Sequence, residues 1–212
     1  MEENDSNKGK VFNSEEESHI GVGSFLLEII KVFILAVVII TPIRVFLFQP
    51  FFVQGASMEP NFENGEYLII NELGYKKTDV GIGSSHFFSV DSFKELKRGD
   101  IVVFHYPKDP RQYFIKRVIG LPGETVKISE GKVYISNKEN LGGFPLDESG
   151  YLSDKVSTAG DLTQKLSDAE YFVMGDNRSY SYDSRSWGPV SKEFIVGKVL
   201  VRAWPFNRAG IY

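Results

Sequence analysis

"DIVVFHYPKDPRQYFIKRVIGLPGETVKI", residues 100–128, decides the fold. It holds three short runs, 100–106, 112–120 and 125–128, each rich in Val, Ile, Tyr and Phe. Such side chains suit a pleated, half-buried surface, so each run is read as a strand. "KRGD" (97–100), "LPGE" (121–124) and "SEGK" (129–132) supply the turn residues between them. Outward from this stretch the same pattern recurs at 66–70, 132–135, 169–175 and 194–204, and no long helical period follows residue 50. The expected class is mainly β: an antiparallel sheet, sandwich or barrel-like. Residues 137–168 are polar and weakly patterned, and are expected to form a small β insertion.

Towards the N-terminus the pattern changes. "FLLEIIKVFILAVVIITPIRVFLF", residues 25–48, is the most apolar part of the chain. Its uncharged run, Val32 to Ile43, is 12 residues, shorter than the ~20 that span a bilayer. The residues are nonetheless apolar on every face, Glu28 can pair with Lys31, and Lys31 and Arg44 lie where long side chains reach the interface. A single transmembrane helix over 25–48 is expected. Lys8 and Lys10 precede it, which places the N-terminus in the cytoplasm and residues 49–212 outside. Residues 1–23 carry six acids and two lysines and are expected to be a disordered cytoplasmic tail, while the remaining chain is neutral.

This balance argues against nucleic-acid binding. There is no cysteine, which excludes disulfides, thiol catalysis and thiolate metal sites. His19, His86 and His105 are scattered without ligand spacing, so neither a metal nor a cofactor is expected.

Three segments carry candidate chemistry. In "FFVQGASMEP" (51–60), Ser57 sits where a strand gives way to a turn. No histidine is placed to serve it as base. In "YFIKRVIGLPGE" (113–124), Lys116 shares a strand face with Phe114 and Val118, while Ile115 and Arg117 face the other way. Burial there would lower the lysine pKa and leave an amine able to take a proton from a hydroxyl. "MGDNRSYSYDSRSWGP" (174–189) alternates Asp and Arg, which can fix a loop through ion pairs. Each segment alone has an ordinary structural explanation: a turn serine, an exposed strand lysine, a salt-bridged turn.

Together they resemble the bacterial type I signal peptidases, membrane-anchored serine–lysine proteases. "GASMEP" is similar to that family's nucleophile box, "YFIKRVIGLPGE" to its lysine box, and "GDNRSYSYDSR" to its third box, in the same order behind a membrane segment. The resemblance implies Ser57 as nucleophile and Lys116 as general base. Ser181 would orient the lysine amine, and Asp176, Arg117, Asp183 and Arg185 would brace the site. Met58, Phe114 and Ile115 would shape apolar substrate pockets. It further implies cleavage of signal peptides from exported preproteins after small-x-small sites such as Ala-x-Ala. The substrate would lie in the same bilayer, paired to strand 51–55 by β-augmentation, with Phe46, Leu47, Phe48, Phe51 and Phe52 at the interface or in the core.

The chain departs from the family pattern at Asn61, where Thr is frequent, at Glu124, where Asp is frequent, and at Gly55, where some relatives carry a serine that assists the oxyanion hole. Two other readings stand beside this one: a self-cleaving repressor-type serine–lysine protease, and a membrane-anchored β-domain with no enzymatic activity. The first would need a DNA-binding domain. A sortase-like enzyme would need a cysteine. Oligomeric state is open from sequence.

Overall fold

The structure, a computed structural model, describes residues 22–46, 48–76, 78–82 and 85–212. The chain divides into two units, with the boundary between Thr41 and Pro42. Most of the acidic tail lies outside the described residues, as do the side chains of Arg44, Phe46, Leu47 and Phe48 assigned above to the interface.

The N-terminal helix α1 runs Val22–Phe46. Its residues Val22–Ile40, 19 in number, have a mean hydropathy of 2.5, and none of them is buried within the chain. A helix of that length and polarity can cross a bilayer. It begins three residues before the expected span, and residue 48 already opens the first strand.

The second unit is mainly β, as its residue pattern predicts. In chain order the strands are β1 (Phe48–Phe52), β2 (Tyr67–Asn71), β3 (Thr78–Ile82), β4 (Ser85–Val90), β5 (Ile101–Tyr106), β6 (Asp109–Gly120), β7 (Thr125–Ser129) and β8 (Lys132–Ser136). They continue with β9 (Phe144–Pro145), β10 (Leu162–Lys165), β11 (Glu170–Met174), β12 (Val190–Ser191), β13 (Ile195–Trp204) and β14 (Gly210–Ile211). A short helix, α2 (Ser184–Trp187), follows β11. The main sheet has the order β1-β2-β13-β5-β6-β11-β12, with β14 on β13; β10-β7-β8-β9 form a second sheet, and β3 and β4 a hairpin. All pairings are antiparallel.

The 137–168 segment supplies β9 and β10 to the edges of the second sheet, with an irregular loop between them. That sheet has its own core of Val126, Ile128, Val133 and Ile135, closed by Leu166, Phe172 and Met174. Strand β6 links the two sheets. From Lys116 to Gly120 every residue is buried, because β11 joins β6 there and both faces are covered. Alternation, the usual strand signal, fails over those residues.

One buried ion pair ties the C-terminus down. Arg202 on β13 donates to both Glu66 carboxylate oxygens, at 3.2 and 3.1 Å, and to the Asn61 carbonyl at 2.7 Å, with its guanidinium 5.3 and 5.4 Å from the ring centres of Phe62 and Tyr212, which pack against each other. Removing one partner of such a pair strands the other charge. Glu66→Gln is therefore expected to lower unfolding free energy by about 3 kcal/mol. Urea melts check this; an unchanged midpoint would show that Arg202 finds compensation elsewhere.

Candidate active site

Two strand edges frame a groove of about 590 Å³. Residues 51–54 form one wall and Gln112–Lys116 the other, with Leu68 and Val103 on the floor. Strand β1 ends the main sheet, and β6 meets β11 only from Arg117 to Gly120. Among the described residues, the 112–116 stretch of β6 thus has no strand on that side. Phe51 meets Tyr113 edge to face at 5.3 Å, while Tyr180 and Tyr182 rise above the far side.

Ser57 and Lys116 meet in this groove. Lys116 Nζ lies 2.6 Å from Ser57 Oγ and donates to the Ile115 carbonyl at 2.8 Å. Lys116 is only 4% exposed, with Nζ 5.5 Å from the Phe114 ring centre. Burial lowers its pKa, and the carboxylates of Asp183 and Asp176 only partly offset that, so it falls from 10.5 to about 8. A substantial neutral fraction at mildly alkaline pH follows.

The loops around the pair are pinned by charge. Arg117 clasps Asp176 with Nε 2.8 Å from Oδ1 and a terminal nitrogen 2.6 Å from Oδ2, and also donates to the Gly99 carbonyl. Asp183 caps α2, accepts from the Gly175 amide at 3.0 Å and holds Arg185 at 2.8 and 2.9 Å. Burial pushes the Asp183 carboxyl up, but the Arg185 guanidinium and further hydrogen bonds outweigh it, leaving the pKa below its ordinary value. Asn177 ties this loop to the Ser57 turn: its amide donates to the Ser57 carbonyl and its side chain to the Ala56 carbonyl, each at 3.0 Å.

Of the residues named from sequence, Ser57, Lys116, Phe114 and Ile115 line the groove, and Asp176, Arg117, Asp183 and Arg185 surround it from behind. Two differ from expectation. Met58 is 1% exposed and belongs to the core beneath the groove rather than its wall. The turn closed by the Phe62 amide on the Met58 carbonyl, at 2.9 Å, folds its side chain inward. Ser181 makes no hydrogen bond to the lysine amine; Nζ bonds instead to the Ile115 carbonyl, one residue back on its own strand, while the buried Ser181 hydroxyl neighbours the Asp183 carboxylate.

The departures from the family pattern are all used. The Asn61 side chain donates to Asp176 and to the Tyr151 carbonyl, at 2.8 Å each. Glu124 accepts from Arg98 through both oxygens and from the Leu121 amide, closing the "LPGE" turn. Gly55 adopts φ +91°, a left-handed conformation that favours glycine, and its amide donates to Asn64 Oδ1 at 2.9 Å. Asn64, Asn177 and Gly175 were given no role from sequence, Asn177 counting only among the many hydrogen-bonding groups of the 174–189 loop. The last two stand in or beside the third box, where their neighbours drew attention first. His105 lies apart, with Nδ1 2.6 Å from the Pro110 carbonyl.

A serine paired with a buried lysine in a strand-edged groove defines a peptidase-like site. The chain matches the family "Signal peptidase, peptidase S26" over residues 26–204 and belongs to it. It is 36% identical to the signal peptidase I of Leptolyngbya laminosa, over 87% of this chain and 83% of that one. It is 35% identical to the signal peptidase I of Bacillus licheniformis over 91% and 96%. It is 33% identical to signal peptidase I T of Bacillus subtilis (strain 168) over 97% and 96%. A crystal structure of a signal peptidase I from Enterococcus faecalis V583 aligns with 50% of this chain and 98% of its own at 32% identity, with a TM-score of 0.41. The chain is a peptidase of this family with an apolar N-terminal helix able to anchor it.

Proposed function

We propose that this peptidase removes signal peptides from exported preproteins with Ser57 as nucleophile and Lys116 as general base. The 2.6 Å contact between Ser57 Oγ and a desolvated Lys116 Nζ carries the reading. The neutral amine takes the hydroxyl proton as Oγ attacks the scissile carbonyl. The resulting ammonium gives that proton to the departing amine, leaving an acyl ester on Ser57. Lys116 then deprotonates the water that hydrolyses the ester. The buried Ser181 hydroxyl accepts the third N–H of the ammonium when it forms. The Ser57 backbone N–H faces the oxyanion, and Gly55 leaves that corner without a side-chain donor.

The extended substrate pairs with β1 on one side and the open stretch of β6 on the other. Phe114 and Ile115 restrict the pockets to small side chains, which suits Ala-x-Ala sites. The helix crosses the membrane once, with its N-terminus in the cytoplasm and the groove outside, so the bilayer is a partner and the substrate is held in it.

A detergent-solubilised preparation given a preprotein with an Ala-x-Ala site tests this. One cut after the second Ala is expected, lost in folded Ser57→Ala and Lys116→Ala and retained in EDTA. The rate of the first step is expected to rise with pH through about 8, following the neutral fraction of Lys116. A cut that survives Ser57→Ala, or that EDTA abolishes, would overturn the scheme.

A further inference from the structure

The irregular loop between β9 and β10 does more than connect two edge strands. Its Glu148 and Tyr151 reach the charged residues behind Ser57 and Lys116 by two routes that join.

The first route runs through Arg178. This guanidinium has 1% of its side chain exposed and forms its ion pair with Glu148, in the 3.2 Å contact of NH1 to Oε2 and a shorter one of NH2 to Oε1. Thr158, from the same loop, accepts from it as well. Arg178 Nε donates to the Gly175 carbonyl at 3.1 Å. Gly175 in turn touches the nucleophile: a Cβ there would stand 2.3 Å from both the Ser57 carbonyl oxygen and Ser181 Oγ. The second route runs through Tyr151. Its ring lies under the Arg117 guanidinium at 4.2 Å, and its carbonyl accepts from Asn61, which also holds Asp176. Arg117 directly follows Lys116 and clasps Asp176. The Tyr151 hydroxyl donates to Glu148 Oε1 at 2.9 Å and closes the circuit.

A buried arginine needs a counter-charge, and Arg178 takes it from outside the box that contains it. The serine–lysine distance is thus set in part by a segment that carries none of the reacting groups. We infer that Glu148 and Tyr151 are positioning residues for Ser57 and Lys116. This rests on the serine–lysine reading above. Their role differs from general structural support because the groove walls, β1 and residues 112–115, are held by other contacts. Disturbing the loop therefore changes how the pair reacts and leaves how the substrate is held. Displacements of about 1 Å in reacting groups can cost about 10²-fold in rate.

The test is steady-state cleavage of an Ala-x-Ala preprotein by the full-length protein in detergent, with folding checked by circular dichroism and melting. Glu148→Gln removes the counter-charge and keeps the shape. It is expected to lower kcat about 10-fold with KM within about twofold. Glu148→Asp, which restores the charge, is expected to recover part of the loss. Tyr151→Leu, which removes the ring beneath Arg117, is expected to lower kcat by a similar factor, and Tyr151→Phe by much less. Wild-type kcat in folded Glu148→Gln and Tyr151→Leu overturns the inference while leaving the dyad intact. So does a loss confined to KM. Should Glu148→Gln fail to fold, the Tyr151→Leu and Tyr151→Phe pair decides alone. A folded Ser57→Ala variant that still cuts would sink the serine–lysine reading itself, a different result from any of these.

Discussion

Lys116→Met is expected to abolish cleavage, by on the order of 10⁴-fold, and at the same time to stabilise the fold. The activity loss follows from removing the only base within hydrogen-bond reach of Ser57 Oγ among the described residues. The stability gain follows from the same burial that makes the lysine a base. Its pKa in the folded protein is about 8, below the ordinary 10.5. The unfolded chain therefore holds this proton more tightly, and folding below pH 8 carries a penalty of about 3 kcal/mol from this group. The penalty shrinks as pH rises from about 8 to about 10.5 and is gone above that. Methionine has similar bulk and no charge, and loses the bonds to the Ile115 carbonyl and to Ser57 Oγ, each worth about 1 kcal/mol. A net gain of about 1 kcal/mol at pH 7 is expected, with the lysine's share of the pH dependence absent. Urea melts of both proteins at pH 7 and pH 10 measure this. If the methionine variant were the weaker at pH 7 and the two proteins kept the same pH slope, Lys116 would not be desolvated.

Gly175→Ala is expected to be nearly as damaging without touching a reacting atom. The new Cβ would meet Ser181 Oγ and the Ser57 carbonyl oxygen at 2.3 Å and Ser181 Cβ at 2.6 Å. One of those partners is backbone, so rotating a flexible side chain cannot relieve the clash. Overpacking of this kind costs about 1–3 kcal/mol. The strand and the serine loop must separate, which moves Ser57 relative to Lys116. A fall in kcat of at least about 10²-fold is expected, together with a lower melting temperature. Single-turnover cleavage of the folded fraction measures the first quantity. A folded variant with more than a tenth of the wild-type rate would mean that the loop yields at no cost to the pair.

Much of this site was legible in the residues. Lys116 between Phe114 and Val118 pointed to burial, and the Asp and Arg alternation of 176–185 pointed to a loop held by charge; both are features of local order. What stayed hidden needs contacts between distant segments. Glu148 and Tyr151 lie in a stretch without periodicity, and their partners Arg178 and Arg117 are 30 and 34 positions away. Nothing in "LDESGYLSD" says that it will back onto another loop. The two-residue strands β9, β12 and β14 are too short for an alternating pattern. The hairpin of β3 and β4 falls in a Gly- and Ser-interrupted stretch that reads as loop. Met58 was misplaced for a related reason: its neighbour Ser57 faces the groove, but a turn does not keep the alternation of a strand.

The place where β11 takes over the edge of β6, at Arg117, acts as an end stop. In the proposed binding mode, a guest strand laid along residues 112–116 would run into the resident strand and slide no further, so the bond beside Ser57 would be chosen by counting from that stop. Backbone pairing is indifferent to side-chain identity beyond size, so that mode would let one enzyme serve many unrelated cargoes yet cut each at a single bond. It also sets a deadline. The guest must still be an extended thread when it arrives, so clipping has to come before the cargo has folded up to its own first residues.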